Sequence, residues 1–228
     1  MNIKINKENA SKRLDFQGEL LYKRNLFNLY IQDYTGYEIS GDQMSDVEFR
    51  PDIRVFTTGL SYFRILNANK ISFRSVFAAG AEQKKSVGSF AVGGTTSFYK
   101  MIADSSIVPS CQKEYFNDYA LINQMLGYSV SINGGYLHVF VLPHGFFVFA
   151  SLYPGIGISI QEITSIETYT PSNLLNLRLD FQVSTGYNGS RFYSTIGFIY
   201  HYSNTSLDFS NRLIGRLGRL KWAVGFKL

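Results

Sequence analysis

The side chains with most chemical reach are three histidines, His138, His144 and His201, a single cysteine, Cys111, and many dispersed serines. A metal centre would need ligands at short regular spacing, such as His-Glu-x-x-His or paired cysteines, and none occurs. Nucleophilic attack on a lipid ester or amide would need a serine and a histidine at one rim of the fold. His201 with Ser194 or Ser151 is the pairing that suggests itself, and His144, in a Pro143-His144-Gly145 turn, is the other candidate base. Cys111 excludes an internal disulfide and reads as an inert thiol. Gly93-Gly94 and Gly134-Gly135 are not followed by Gly-Lys-Ser/Thr and open no helix, so they read as bulges or strand bends rather than phosphate loops. Lys84-Lys85 fits a solvated turn, or an anion-binding pair projecting inward. None of these patterns calls for a cofactor or a metal.

The elements that would position these residues are strands. Aromatic residues make up 16% of the 228-residue chain, with 16 Tyr and 19 Phe against one Trp, and Gly contributes 20 residues. That enrichment suits strands and tight bends. The clearest two-residue period puts Leu177, Leu179, Phe181, Val183, Thr185 and Tyr187 on one face and Arg178, Asp180, Gln182 and Ser184 on the other. The pattern recurs over Leu14–Tyr22, where Asp15, Gln17 and Glu19 form the polar face, and over Gly145–Ile160, where Pro154 marks a bulge or strand end. It recurs again in Phe192–Tyr202 and in the C-terminal run of Trp222, Val224, Phe226 and Leu228. Further strands are expected at Leu26–Tyr34, Val55–Ile65, Ile71–Ala78, Ser89–Met101 and Gly127–Leu142.

Several of these runs exceed ten residues, whereas globular strands usually have about 5–6 and a tilted membrane-spanning strand about 9–11. Charges recur in mid-strand, where a sandwich core tolerates them poorly but a wet or ion-paired lumen accepts them. No stretch approaches the 18 apolar residues of a spanning helix. The expected fold is therefore an all-β, antiparallel up-and-down transmembrane β-barrel of about ten strands, occupying 13–228 behind a polar tail, 1–12. Asp15, Glu19, Arg74, Arg178, Asp180 and Gln182 would line its lumen, and Tyr22, Tyr34, Tyr62, Tyr128, Tyr187 and Tyr202 would form interface girdles. Tight turns at 23–25, 67–70, 143–145 and 188–190 contrast with longer polar connections at 35–54, 102–126, 161–176 and 203–212. Counted back from the C-terminus, short turns and long loops alternate as far as residue 102. There the order reverses, so that either one segment does not span or residues 79–88 fold inward, which singles out Gln83, Lys84, Lys85 and Ser86.

The formal net charge is +5. Lysines and arginines are dense only at Lys12-Arg13, Lys23-Arg24, Lys84-Lys85 and the set Arg212, Arg216, Arg219 and Lys221, which is interleaved with strand residues. Nucleic-acid binding would cluster them on one element, so a solvated basic surface or contact with anionic lipid head groups is the expectation. Met1–Arg13 holds no apolar signal-peptide core, so an exported form would be mature or trimmed.

Several stretches resemble a Bacteroidota family known as domain of unknown function 4421. They are Gln32–Tyr37, Arg50–Arg54, Phe73–Phe77, Gln83–Phe90 with Gly93-Gly94, Asp104–Pro109, Ser151–Gly157 and Gly186–Tyr193. The resemblance covers about residues 26–202. It implies an exported barrel in the outer membrane of a Gram-negative cell, usually longer at the N-terminus by a signal peptide and at least one further strand, for 10–12 strands in the full-length protein. It brings no activity and no site. The leading expectation is a non-enzymatic narrow pore or structural or accessory subunit with a side-chain-filled polar lumen, set in the lipid bilayer and contacting other outer-membrane or periplasmic proteins. Two alternatives stand beside it. One is an outer-membrane lipase or deacylase. The other is a soluble calycin-like barrel binding an apolar ligand, which would turn Phe181, Val183 and Phe198 inward and Arg178 and Asp180 into water.

Overall fold

A computed structural model describes residues 2–5, 12–40, 48–67 and 85–226. Eleven strands of these residues form a single sheet. They are β1 (Asn2–Ile5), β2 (Lys12–Tyr22), β3 (Asn25–Ser40), β4 (Glu48–Ile65), β5 (Val87–Ile102), β6 (Gln124–Val141), β7 (Phe146–Thr164), β8 (Thr168–Tyr169), β9 (Leu175–Asn188), β10 (Phe192–Ser206) and β11 (Arg212–Phe226). Each long strand lies antiparallel to the next along the chain. β1 and β2 share one edge of β3, and β8 is a two-residue pairing on the end of β7. No helix of the described residues is long and apolar enough to cross a membrane, which says nothing about strands.

The sheet is strongly curled. Phe63 on β4 meets Tyr153 on β7 with ring centroids 4.6 Å apart, although two strands separate them in the sheet. Stagger accompanies the curl, as barrel geometry requires. The row of paired residues that leaves Arg64 near the end of β4 for Val92 resumes at Pro154, Leu179 and Tyr202, and ends at Arg216 in the opposite half of β11.

Closure is where the expected barrel needs correcting. The edge strands β2 and β11 do not pair with each other among the described residues. Because every neighbour reverses direction, the path from β2 through β3, β4, β5, β6, β7, β9 and β10 brings β11 out running the same way as β2. An up-and-down barrel closes antiparallel all round only when the strand positions are even in number.

β4 and β5 are direct neighbours, in register from Arg54↔Ile102 to Ile65↔Ala91. β4 therefore ends and β5 begins at the short-turn end, so the described strands alternate in direction throughout. The strand expected at Ile71–Ala78 and the residues Arg74, Gln83 and Lys84 lie outside the described residues. One register shift interrupts β3 and β4 between Thr35 and Tyr37, where Gly36 takes φ 92°. Such a bulge needs a residue without a Cβ penalty. Opposite Gly134-Gly135 the β6–β7 ladder lapses around Pro154, which has no N–H to give, and resumes in the same register. The proline causes a gap there, not a bulge or an end.

The two faces follow the two-residue period. On β7, Phe147, Phe149, Ser151, Tyr153, Ser159, Gln161 and Ile163 are buried on the concave side, while Phe146, Leu152, Ile156, Ile158 and Ile160 are exposed on the convex side. The concave interior has three layers. Leu26, Phe63, Ile65, Leu137, Val139, Phe147 and Phe149 pack at the short-turn end. Ile39, Ile53, Met101, Ile107, Ile122, Met125, Ile163 and Leu207 pack at the long-loop end. Polar residues fill the space between.

Candidate functional site

The middle layer is centred on Asp180. The register of β9 on β10 sets His201 directly opposite Asp180, and their shared parity turns both side chains to the concave face. Asp180 Oδ1 pairs with His201 Nδ1 at 2.6 Å, and Oδ2 accepts from Arg178 Nε at 2.9 Å. The Arg178 and Asp180 side chains are each 9% exposed. Tyr30, from β3 on the facing wall, lines the same cavity as Arg178. Gln17, Glu19, Asn28, Ser61, Ser151, Gln182 and Arg219 complete the lining. The water-accessible space among them is about 50 Å³, room for a few water molecules but not for an organic ligand.

Asp15 sits further along β2. It accepts from Gln17 Nε2 at 2.8 Å, Tyr34 OH at 2.6 Å and Gln32 Nε2 at 3.3 Å, and Gln32 Oε1 in turn accepts from Thr57 Oγ1 at 3.3 Å. Tyr34 thus belongs to the interior and not to a girdle. Across the sheet the polar layer continues as Thr95–Ser61 at 3.0 Å, Ser97–Ser129 at 2.6 Å and Ser131–Asn133 at 3.0 Å. These side chains are short and neutral, so they fill space between charged walls without adding charge.

An Asp–His pair of this kind can hold an imidazole in one tautomer and so make it a base. The serines, however, are not placed to use it. Ser194 is on the convex face, where its Oγ accepts from Trp222 Nε1 at 3.4 Å. Ser151 lines the same cavity as His201, yet its buried Oγ has no hydrogen-bond partner. His144 takes a left-handed φ of 61° in its exposed turn, and His138 lies on the convex face, 3.1 Å from Tyr136 OH. Among the described residues no group of His, Cys, Asp and Glu is arranged to hold a metal ion.

The concave face therefore gathers Asp15, Glu19, Arg178, Asp180 and Gln182. Lys85 and Ser86 are exposed at the short-turn rim, where Ser86 Oγ accepts from Val141 N at 2.9 Å. Sequence reasoning did not join His201 to Asp180. The signal was present, because the tight connection after Asn188 fixes the pairing of Tyr193 with Asn188, and counting inward from there reaches His201 and Asp180.

The convex face is a belt of exposed apolar side chains with limits marked by charge. Toward the long loops, one row of paired residues carries Asp33, Phe56, Lys100, Leu126 and Glu162, and Asp33 is ion-paired with Arg54. Toward the short turns, aromatic pairs succeed one another: Phe27–Tyr62 at 5.2 Å, Phe90–Tyr136 at 5.1 Å, Phe146–Tyr187 at 5.2 Å and Phe192–Phe226 at 5.7 Å. Phe181, Val183 and Phe198 belong to this face. Phe198 is 39% exposed while Asp180 is 6% exposed, so the reversed faces of the soluble ligand-binding alternative are not found.

Beyond the belt the long loops are tied down. Arg50 forks onto both Asp52 oxygens at 2.8 and 2.7 Å, and reaches Ser106 O at 2.8 Å and Ser105 Oγ at 2.9 Å. The bond from Arg50 holds the Asp52 carboxyl below its usual range. Asp208 accepts from Ser172 and Asn173, and the Ser172 N–H likewise lowers its carboxyl. Asp208, Phe209 and Ser210 all have positive φ, and the turn they form stacks Phe209 on Tyr119 at 3.7 Å.

These features define a class: an antiparallel, strongly curled sheet with an apolar convex face and a charged concave face. The chain belongs to the family described as Domain of unknown function (DUF4421), whose model matches residues 1–227. No curated protein matches the chain, and no solved structure does.

Proposed function

We propose that this chain is a non-enzymatic outer-membrane β-barrel protein of a Gram-negative cell of the Bacteroidota, serving as a narrow pore or as a structural or accessory subunit. Its partners are the lipid bilayer and other outer-membrane or periplasmic proteins. The observation that carries the reading is the distribution of residues on β7 and β9. Five large apolar side chains of β7 lie exposed on one face, while Arg178 and Asp180 of β9 are buried on the other. Water would favour the opposite arrangement, and a hydrocarbon surround favours this one. The polar layer sealed between two apolar layers supports a filled lumen and little conductance. Fractionation and detergent dependence test the reading: the protein is expected to float with membranes and to need detergent once extracted. A monodisperse protein in plain buffer would remove it, and a wide conductance in planar bilayers would remove the filled-lumen form.

The Asp180–His201 pair favours a second reading, a lipid lipase or deacylase. That reading requires lipolytic or deacylating activity abolished by His201→Ala, and no activity above background would end it.

A further inference from the structure

The seam of the sheet lies between β2 and β11, and the charges nearest to it are incompletely matched. Glu19, on the concave side of β2, lines the central cavity together with Arg219 of β11, the opposite edge, and Lys221 shares the parity of Arg219 on that strand. The Nε of Arg219 is buried and has no hydrogen-bond partner. Opposite charges withdrawn from water favour a structure only when they are joined with good geometry. Both edges also carry exposed apolar residues outward, Leu14, Phe16 and Leu20 on β2 and Leu220, Trp222 and Val224 on β11. In hydrocarbon the unpaired N–H and C=O groups of two such edges have no water to turn to, so open edges are not tolerated there.

We propose that β2 and β11 join directly in the bilayer as a parallel pair, with Glu19 clasping Arg219 and Lys221 from the lumen side. The proposal rests on the membrane reading above. Its geometry follows from direction: both strands run from the long-loop end to the short-turn end, so the seam is a parallel ladder in an otherwise antiparallel sheet. A second copy inserted with the same orientation would meet either edge in parallel too, and would gain nothing over the chain's own edge. Parallel ladders are slightly less stable per residue, which makes this joint the weakest of the barrel. A slide of two residues along the seam leaves every side chain on its own face, so the clasp fixes the register that face alternation does not.

Cysteine pairs test this in vesicles. In a Cys111→Ser background, Gly18→Cys is combined in turn with Gly218→Cys, Leu220→Cys and Trp222→Cys, all on the convex face beside the clasp. An added Cβ meets nothing closer than 3.8 Å at Gly18 and 3.4 Å at Gly218. Disulfides require Cα separations of about 4.4–6.8 Å, which adjacent strands meet and strands separated by another do not. The proposal expects a disulfide from at least one pair in phosphatidylcholine vesicles under a mild oxidant. It is overturned if none forms while a bismaleimide of roughly 10 Å, two strand spacings, bridges the pair, because another segment then lies between. It is equally overturned if neither reagent links them. Only protein that floats with the vesicles is scored; failure to float defeats the membrane reading itself, whereas floated protein without disulfide defeats the seam alone. For the clasp, Glu19→Arg should lower the disulfide yield several-fold and Glu19→Arg with Arg219→Glu should restore it. A yield indifferent to Glu19→Arg overturns the clasp.

Discussion

Replacing Asp180 with Asn keeps the shape of the side chain and removes its charge, which isolates what the buried carboxylate contributes. Arg178 then remains as a cation with 9% of its side chain exposed, and its acidic partner at 2.9 Å is gone. Breaking a buried ion pair from one side costs about 3–5 kcal/mol, because an uncompensated charge stays behind. The Asn carbonyl can still accept one hydrogen bond, recovering about 1 kcal/mol, and His201, 28% exposed, can turn toward water. The expected loss is therefore about 2–4 kcal/mol. Denaturant unfolding in micelles or vesicles, followed by the fluorescence of the single tryptophan, would measure it. Replacing the pair together, Arg178→Met with Asp180→Leu, should cost far less, because apolar residues of similar volume often substitute for buried pairs without loss. A single-substitution cost under about 1 kcal/mol would refute the reasoning, because it would mean that the network is solvated. A double variant as unstable as the single one would refute it as well.

Arg50→Ala should free the segment at 104–109 from β4, at a cost of about 2 kcal/mol for charge-assisted bonds, and expose it to limited proteolysis while the sheet stays intact. Asp52 and Asp208 are both held below their ordinary value of 3.8 in the folded protein, so their contribution is complete above that pH and is lost as the pH falls through the lower folded values. Protease resistance of the long-loop end should accordingly be constant near neutrality and decline below about pH 4. Gly135→Ala would put a Cβ 1.9 Å from Leu152 O, while Gly134→Ala meets nothing within 4 Å. The first should lower the unfolding midpoint clearly and the second barely change it; equal effects would contradict the strand packing.

The strands, their faces and the inward charges were legible because parity along a strand is local. Leu177 to Tyr187 announces both faces of β9 without reference to any other residue, and the structure keeps every one of those assignments. What depends on neighbours was harder to read. Tyr34 looks like a girdle residue by its place near a strand end, but its packing against the long-loop cluster and its hydrogen bond to Asp15 assign it to the interior. The Arg50–Asp52 fork and the segment around Ser105 and Ser106 are more than 50 positions apart, and no periodicity links them. The direction of the two edges is a property of the whole count, which only the pairing of β4 directly with β5 supplies.

The central claim is that the convex face meets lipid, and the chain carries one reporter for it. Trp222, the single tryptophan, is on that face of β11 and is 74% exposed. Reconstitution into vesicles of brominated phosphatidylcholine should quench its fluorescence strongly, with blue-shifted emission and protection from iodide. Red-shifted emission that iodide quenches and brominated lipid leaves untouched would place this face in water and contradict the account.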